Sequence, residues 1–260
     1  DINKKPGAII NYYLDLFDTN TQFIRTLLTS ENIQHSNIIE KYLKDLIGKD
    51  DSYTIDLGND IYSYELIKSH SEFLQLLASK SFVNKDILYA NDMYSSSIKM
   101  NSELLLSYIN YGLTEIALTN YDKALNIFIN AAELVDNDYQ NDIVMLYIGM
   151  CHLYLQRYEK AINSVINIQN DTVEKFLVLG NACFILKDYE DAIESYSWAL
   201  ILDKNPIIYI NLGLVYDKIN DKESATDNYS KAADINPDLK VPALPYLPVF
   251  RKIPYSLEEL

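Results

Sequence analysis

Four glycines in this chain are each followed by an alanine twelve residues later. The pairs are Gly112 with Ala124, Gly149 with Ala161, Gly180 with Ala192, and Gly213 with Ala225. Only seven glycines occur in 260 residues, so most of them occupy this one position. A small residue lets two helices cross closely, because no side chain separates the backbones. The spacing therefore predicts a helical hairpin that recurs along the chain.

Other residue types recur at fixed distances from these glycines. In the copy that runs from Asn205 to Pro237, Tyr229 follows Gly213 by sixteen residues and Ala232 follows it by nineteen. An aromatic ring at the first distance would fill the space beside the close crossing, and Pro237 would end the second helix. The remaining copies have Phe128 and Ala131, Val165 and Ile168, Tyr196 and Ala199, and a further copy has Ala78 in the glycine position with Ala90, Tyr94 and Ser97.

The copy at Gly213 resembles the tetratricopeptide repeat. The residues that match the signature of this family are Leu212, Gly213, Tyr216, Ala225, Tyr229, Ala232 and Pro237. The resemblance implies an all-α fold, a right-handed α-solenoid of helix-turn-helix repeats. Five copies place this solenoid at residues 61–237, and steps of 34, 37, 31 and 33 residues between their origins indicate turns of variable length.

The two ends of the chain do not follow the repeat. Apolar residues at helical spacing within residues 1–60 predict an N-terminal helical head, which a glycine- and aspartate-rich loop at 48–60 separates from the solenoid. Residues 238–260 form a proline-rich C-terminal tail, in which Pro242, Pro245, Pro248 and Pro254 exclude a regular helix. Because the tail also carries many apolar residues, we expect it to lie on another part of the chain or on a partner.

Composition narrows the function. A net charge of −15 argues against nucleic acid and against anionic membranes as partners, because both require clustered lysine and arginine. No apolar run is long enough to span a membrane. The chain begins at Asp1 without methionine, so we expect removal of an upstream segment, and either a cytoplasmic or a periplasmic, cell-envelope location.

Known catalytic motifs are missing, and the three histidines are far apart in sequence. Cys151 and Cys183 are expected to be small buried hydrophobic residues. The sequence thus predicts neither an enzyme nor a metal site, and no cofactor.

The family resemblance implies that the first helix of each repeat lines a concave groove. The groove residues carried over in this way are Ile109, Asn110, Leu113, Leu146, Tyr147, Met150, Tyr154, Leu177, Asn181, Phe184 and Asn211. Leu177 stands where relatives that hold a terminal carboxylate have lysine, so a clamp of that kind is not expected. An apolar groove of this size should be covered, either by an apolar segment of a partner protein or by the head or tail of the chain itself.

The predicted function is a non-catalytic adaptor, scaffold or chaperone that holds an apolar helical or extended segment of another protein in the groove. Two alternatives stay open. One is an enzyme or regulatory subunit with its site in the head, and the other is a structural protein that assembles with itself.

Overall fold

The computed structural model describes residues 71–72, 74–75, 77–252, 254–256 and 259–260. The predicted head at residues 1–60 therefore lies outside the described residues. The chain divides into two compact units, Asp1–Ser102 and Glu103–Leu260. The second unit contains both the groove residues named above and the tail.

The described part of the first unit is a helical hairpin. Residues 71–83 are helical wherever they are described, and helix α1 spans Ile87–Met100. Ala78, Ala90 and Tyr94 are fully buried, and the Ser97 hydroxyl donates a hydrogen bond of 2.8 Å to the backbone carbonyl of Ser71 across the hairpin. This hairpin is the copy that has alanine in the glycine position.

Four further hairpins make up the second unit. Their helices are α2 (Leu105–Ala117), α3 (Tyr121–Ala131), α4 (Asp138–Tyr154), α5 (Tyr158–Val165), α6 (Val173–Leu186), α7 (Tyr189–Leu202), α8 (Pro206–Lys218) and α9 (Lys222–Ile235). Each helix packs on the next one in sequence, and α6 also contacts α4 and α8. The first helices of the last three hairpins therefore lie side by side on one face. The predicted all-α solenoid is confirmed.

The repeat glycines are points of close contact between the two helices of a hairpin. A methyl group on Gly180 would lie 2.6 Å from Cε1 of Tyr196, and one on Gly213 would lie 2.5 Å from Cε1 of Tyr229. Both distances are shorter than any real contact between carbon atoms, so only glycine fits. The aromatic residue sixteen positions after the glycine thus fills the space that the missing side chain leaves.

A second recurring feature lies in the turn inside each hairpin. The residue seven positions after each repeat origin has a positive φ, between 59° and 71°, and none of these residues is glycine. They are Lys85, Thr119, Gln156, Lys187 and Asn220. The turn after Ala78 has the same conformation as the turns after the four glycines, so all five copies share one backbone design.

Candidate functional site

The tail runs along the first helices of the hairpins, in the direction opposite to the solenoid. Tyr246 lies against α6 and α8, where it is bound by asparagine side chains. The backbone carbonyl of Pro248 accepts a 2.9 Å hydrogen bond from the Tyr154 hydroxyl at the end of α4. Tyr255 lies on α2. The tail therefore passes from the last hairpin back to the first hairpin of this unit.

Two asparagines bind the tail through its backbone alone. The Tyr246 amide donates to Oδ1 of Asn211 at 2.7 Å, and Nδ2 of Asn211 donates to the Tyr246 carbonyl at 2.9 Å. Asn110 makes the same pair of bonds to Tyr255, at 2.6 and 2.9 Å. Each asparagine stands two residues before the glycine of its repeat. The two contacts are thus one recognition element used twice, at tail positions nine residues apart. We call them the asparagine clamps: the first is Asn211 on Tyr246, and the second is Asn110 on Tyr255.

A third asparagine supports the first clamp. Nδ2 of Asn181 donates to the Tyr246 carbonyl at 3.0 Å, while its Oδ1 accepts a 2.5 Å bond from the Tyr196 hydroxyl and a 3.3 Å bond from Asn211. Complete burial raises the pKa of the Tyr196 phenol well above its usual value, so the hydroxyl keeps its proton and remains a donor. This donor orients the Asn181 amide so that its NH₂ group faces the tail.

Aromatic packing holds the tail between the two clamps. Phe250 is only 9% exposed, and its ring centroid lies 5.1 Å from that of Tyr154 and 6.1 Å from that of Tyr147. The hydroxyls of Tyr147 and Tyr255 are 3.0 Å apart. Burial and the neighbouring Tyr255 raise the pKa of Tyr147 far above its usual value, so the Tyr147 hydroxyl stays protonated at neutral pH.

The predicted groove residues fall into two groups. Five are buried in the solenoid core: Ile109, Leu113, Met150, Leu177 and Phe184. Another five hydrogen-bond to the tail: Asn110, Tyr147, Tyr154, Asn181 and Asn211. Leu146 is half-buried beside them. Of the two ways to cover the groove, the structure shows the chain's own tail on it, and the tail covers the groove except for one cavity. The use of these groove residues by a partner protein stays a prediction.

Sequence reasoning missed the tail residues that occupy the groove, among them Tyr246, Phe250 and Tyr255. The only signal was the apolar composition between the prolines. That signal showed that the tail needs a binding surface but did not indicate which surface.

The two cysteines are buried and unbridged. Burial raises the pKa of the Cys151 thiol to about 12 and that of Cys183 to about 11, so both are protonated, unreactive thiols at neutral pH. Within the described part of the chain, no group of histidine, cysteine, aspartate or glutamate side chains could hold a metal ion. The same residues include no helix with the length and apolar character that a membrane span requires.

Two family models match the last two hairpins of the solenoid. Residues 180–220 match a model described as a TPR repeat, and residues 207–239 match one described as a tetratricopeptide repeat. Among curated proteins, the mitochondrial import receptor subunit TOM70 of Saccharomyces cerevisiae is 39% identical over 59 residues, which are 23% of this chain and 10% of the yeast protein. A TPR repeat-containing protein of Methanocaldococcus jannaschii is 26% identical over 227 residues, which are 79% of this chain and 39% of that protein. The chain thus spans well under half the length of these relatives.

Solved structures with the same fold include two tetratricopeptide-repeat solenoids. One is YrrB, described as a TPR protein with an unusual peptide-binding site; it has a TM-score of 0.55 and 17% identity, and the match covers 68% of this chain and 93% of YrrB. The other is MamA of Desulfovibrio magneticus, with a TM-score of 0.60 and 15% identity over 65% of this chain and 96% of MamA. At these identities the likeness establishes the fold alone.

Proposed function

We propose that this chain, which carries tetratricopeptide repeats, is a non-catalytic adaptor that holds an extended apolar segment of another protein in its concave groove. The observation that carries the proposal is the pair of asparagine clamps. Each clamp binds one amide N–H and one carbonyl group of an extended chain, as a neighbouring β-strand would. The groove therefore offers a binding mode that any extended segment can use.

The clamps favour a peptide over other kinds of ligand. A backbone contact of this type is independent of the side chain at the bound position, and the aromatic cluster around Phe250 adds selectivity for a large apolar residue between the clamps. The relatives fit this role, because one is named as a protein import receptor subunit and a structural neighbour is described as having a peptide-binding site. In this proposal the tail holds the place that a partner segment would take.

The test supplies such a segment in trans to a chain whose own tail is released. Phe250→Asp places a charge among three aromatic rings, which should detach the tail because a buried unpaired charge is strongly unfavourable. A fluorescent peptide of residues 239–256 should then bind this variant, as measured by fluorescence anisotropy. Adding Asn211→Ala should weaken binding about tenfold or more, because it removes two hydrogen bonds of about 1 kcal/mol each.

Asn228→Ala is the matched control for this measurement. Asn228 is also a buried asparagine, but it lies on α9 and donates to the Ser224 carbonyl of its own helix at 2.9 Å. We expect it to leave peptide affinity unchanged. If the released chain keeps its helical circular dichroism signal and the peptide still does not bind, the groove is not a peptide site and the proposed function is wrong.

A further inference from the structure

The tail does not fill the groove completely. A cavity of about 420 Å³ remains beside it, within the range of about 300 to 1,000 Å³ that is typical of ligand pockets. One wall is a stripe of α4 that includes Ile143, Leu146 and Met150. The second wall is the connection from α5 to α6 together with the start of α6. The third wall is the tail itself, at Val249, Arg251 and Tyr255.

Several polar groups in the lining already bind one another. The buried Asp142 carboxylate accepts three hydrogen bonds, from the backbone amides of Gln169 and Asn170 and from the Asn170 side chain. The Tyr147 and Tyr255 hydroxyls pair with each other. A ligand in this cavity would therefore gain little by hydrogen bonding to these groups. Its gain would come from apolar contacts with the floor of the cavity, where Leu146 is half-buried and Ile143, Met150 and Ile168 are almost fully buried.

The tail presents a residue at the cavity that is too small to fill it. Val249 lines the cavity and is 60% exposed, whereas Phe250 beside it in sequence is almost fully buried. Building on the proposed function, we infer that this cavity is a specificity subsite, which takes a bulky apolar side chain of the partner segment at the position that Val249 holds in the tail. The partner segment otherwise follows the tail, with its backbone held at the two asparagine clamps.

Charge further restricts the partner. Residues 103–237 carry 20 acidic and nine basic residues, a net charge of −11, whereas the tail, residues 238–260, carries three of each and has no net charge. The exposed Glu174 lies at the cavity itself. Within the tail, the Arg251 guanidinium pairs with Glu259. The acidic body thus holds a segment that has no net charge, and the partner segment is neutral or basic as well as apolar.

The subsite also gives a partner the means to replace the tail. Because the tail is joined to α9 through a short connection, its effective concentration at the groove is on the order of millimolar. A partner segment with the same contacts would lose to it at ordinary concentrations. A partner that also fills the cavity gains apolar contacts that the tail lacks.

The test compares two labelled peptides of residues 239–256 on the intact chain and on the Phe250→Asp chain. One peptide has the natural sequence and the other carries Val249→Phe. Filling the cavity should lower the dissociation constant about tenfold on both chains, the ratio expected for burying the additional apolar area of a phenyl group. Leu146→Phe, which fills the cavity from the side of α4, should bring the ratio of the two dissociation constants close to one.

The outcomes separate this inference from the proposed function. If both peptides bind the Phe250→Asp chain with equal affinity, the groove is a peptide site but the cavity is not a subsite, and the inference is overturned. If neither peptide binds either chain, the proposed function itself fails. A tenfold preference that persists in the Leu146→Phe chain would place the phenyl group elsewhere and would also overturn the inference.

Discussion

At the scale of single residues, the spacing of small and large side chains determines the packing of each hairpin. Among the four repeat glycines, Gly149 lies against Val165, and each of the other three lies against an aromatic ring. Because these contacts join residues sixteen positions apart on two adjacent helices, they could be predicted from the sequence. Each contact needs the space that the glycine leaves free. Adding even one methyl group at a repeat glycine should therefore lower the free energy of unfolding.

Gly149→Ala should lower the free energy of unfolding by about 1 to 3 kcal/mol, because the new methyl group would overlap Cγ1 of Val165. The same change in a Val165→Ala background should cost less, since the next nearest atom is the Ala161 carbonyl oxygen at 3.3 Å. Urea denaturation of the four variants measures the coupling. Equal costs in both backgrounds would contradict the contact.

The turn residues could not be predicted in the same way. Glycine or asparagine is the usual signal for a positive φ, but four of the five positions are occupied by lysine, threonine or glutamine, and only Asn220 carries the signal. The left-handed conformation is imposed by the two helices that the turn must join. A constraint of this kind appears only when both helices are in place.

At the scale of elements, the connection between α5 and α6 depends on a side chain from another helix. The Asp142 carboxylate on α4 binds the backbone amides of Gln169 and Asn170, 27 and 28 residues further along the chain. Helix α5 is only eight residues long, and this carboxylate satisfies the amides of the irregular stretch after it. The Asp142 side chain therefore helps to fix the connection that leads into α6.

Asp142→Ala should lower the free energy of unfolding by about 1 to 3 kcal/mol, because it leaves backbone donors without partners in a partly buried place. Hydrogen exchange should increase at Gln169 and Asn170. Asp138→Ala is the control, since Asp138 is an exposed residue in the first turn of the same helix. Unchanged exchange at both amides would show that Asp142 does not hold this connection.

The tail shows where prediction from sequence ends for an element. Its prolines and apolar residues predicted an extended segment in need of a surface, and the resemblance named the groove residues. The pairing itself joins Asn211 to Tyr246 across 35 residues and Asn110 to Tyr255 across 145 residues. No local pattern encodes contacts at those separations. The direction of the tail and the tail residues that the clamps hold could therefore not be predicted from the sequence.

At the scale of the whole molecule, buried thiols and phenols make stability depend on pH in the alkaline range. The folded state raises the pKa of Cys151 to about 12 and that of Cys183 to about 11, and it raises the pKa of Tyr147 and Tyr196 above their usual values. In the unfolded chain, the thiols lose their protons from about pH 8.5 and the phenols from about pH 10. The unfolded state therefore binds fewer protons above these values, and it gains stability relative to the folded state.

We expect full stability below about pH 8.5 and a decrease between about pH 8.5 and 12. The urea midpoint should be lower at about pH 10 than at about pH 7.5, and a Cys151→Ala, Cys183→Ala double variant should lose less across this interval. A midpoint that rises with pH, or an equal loss in the double variant, would contradict buried protonated thiols as a cause.

The path of the tail changes how the repeat array behaves mechanically. An array of hairpins that contact only their neighbours is quasi-one-dimensional, and it can fray from either end one repeat at a time. The tail joins the last hairpin to the first hairpin of its unit, through Asn211 at one end and Asn110 at the other. The tail thus connects the two ends of the array, so that stretching or unfolding a hairpin at one end must also break contacts at the other end. A partner that replaces the tail would remove this connection, so binding in the groove and the elasticity of the array would be linked.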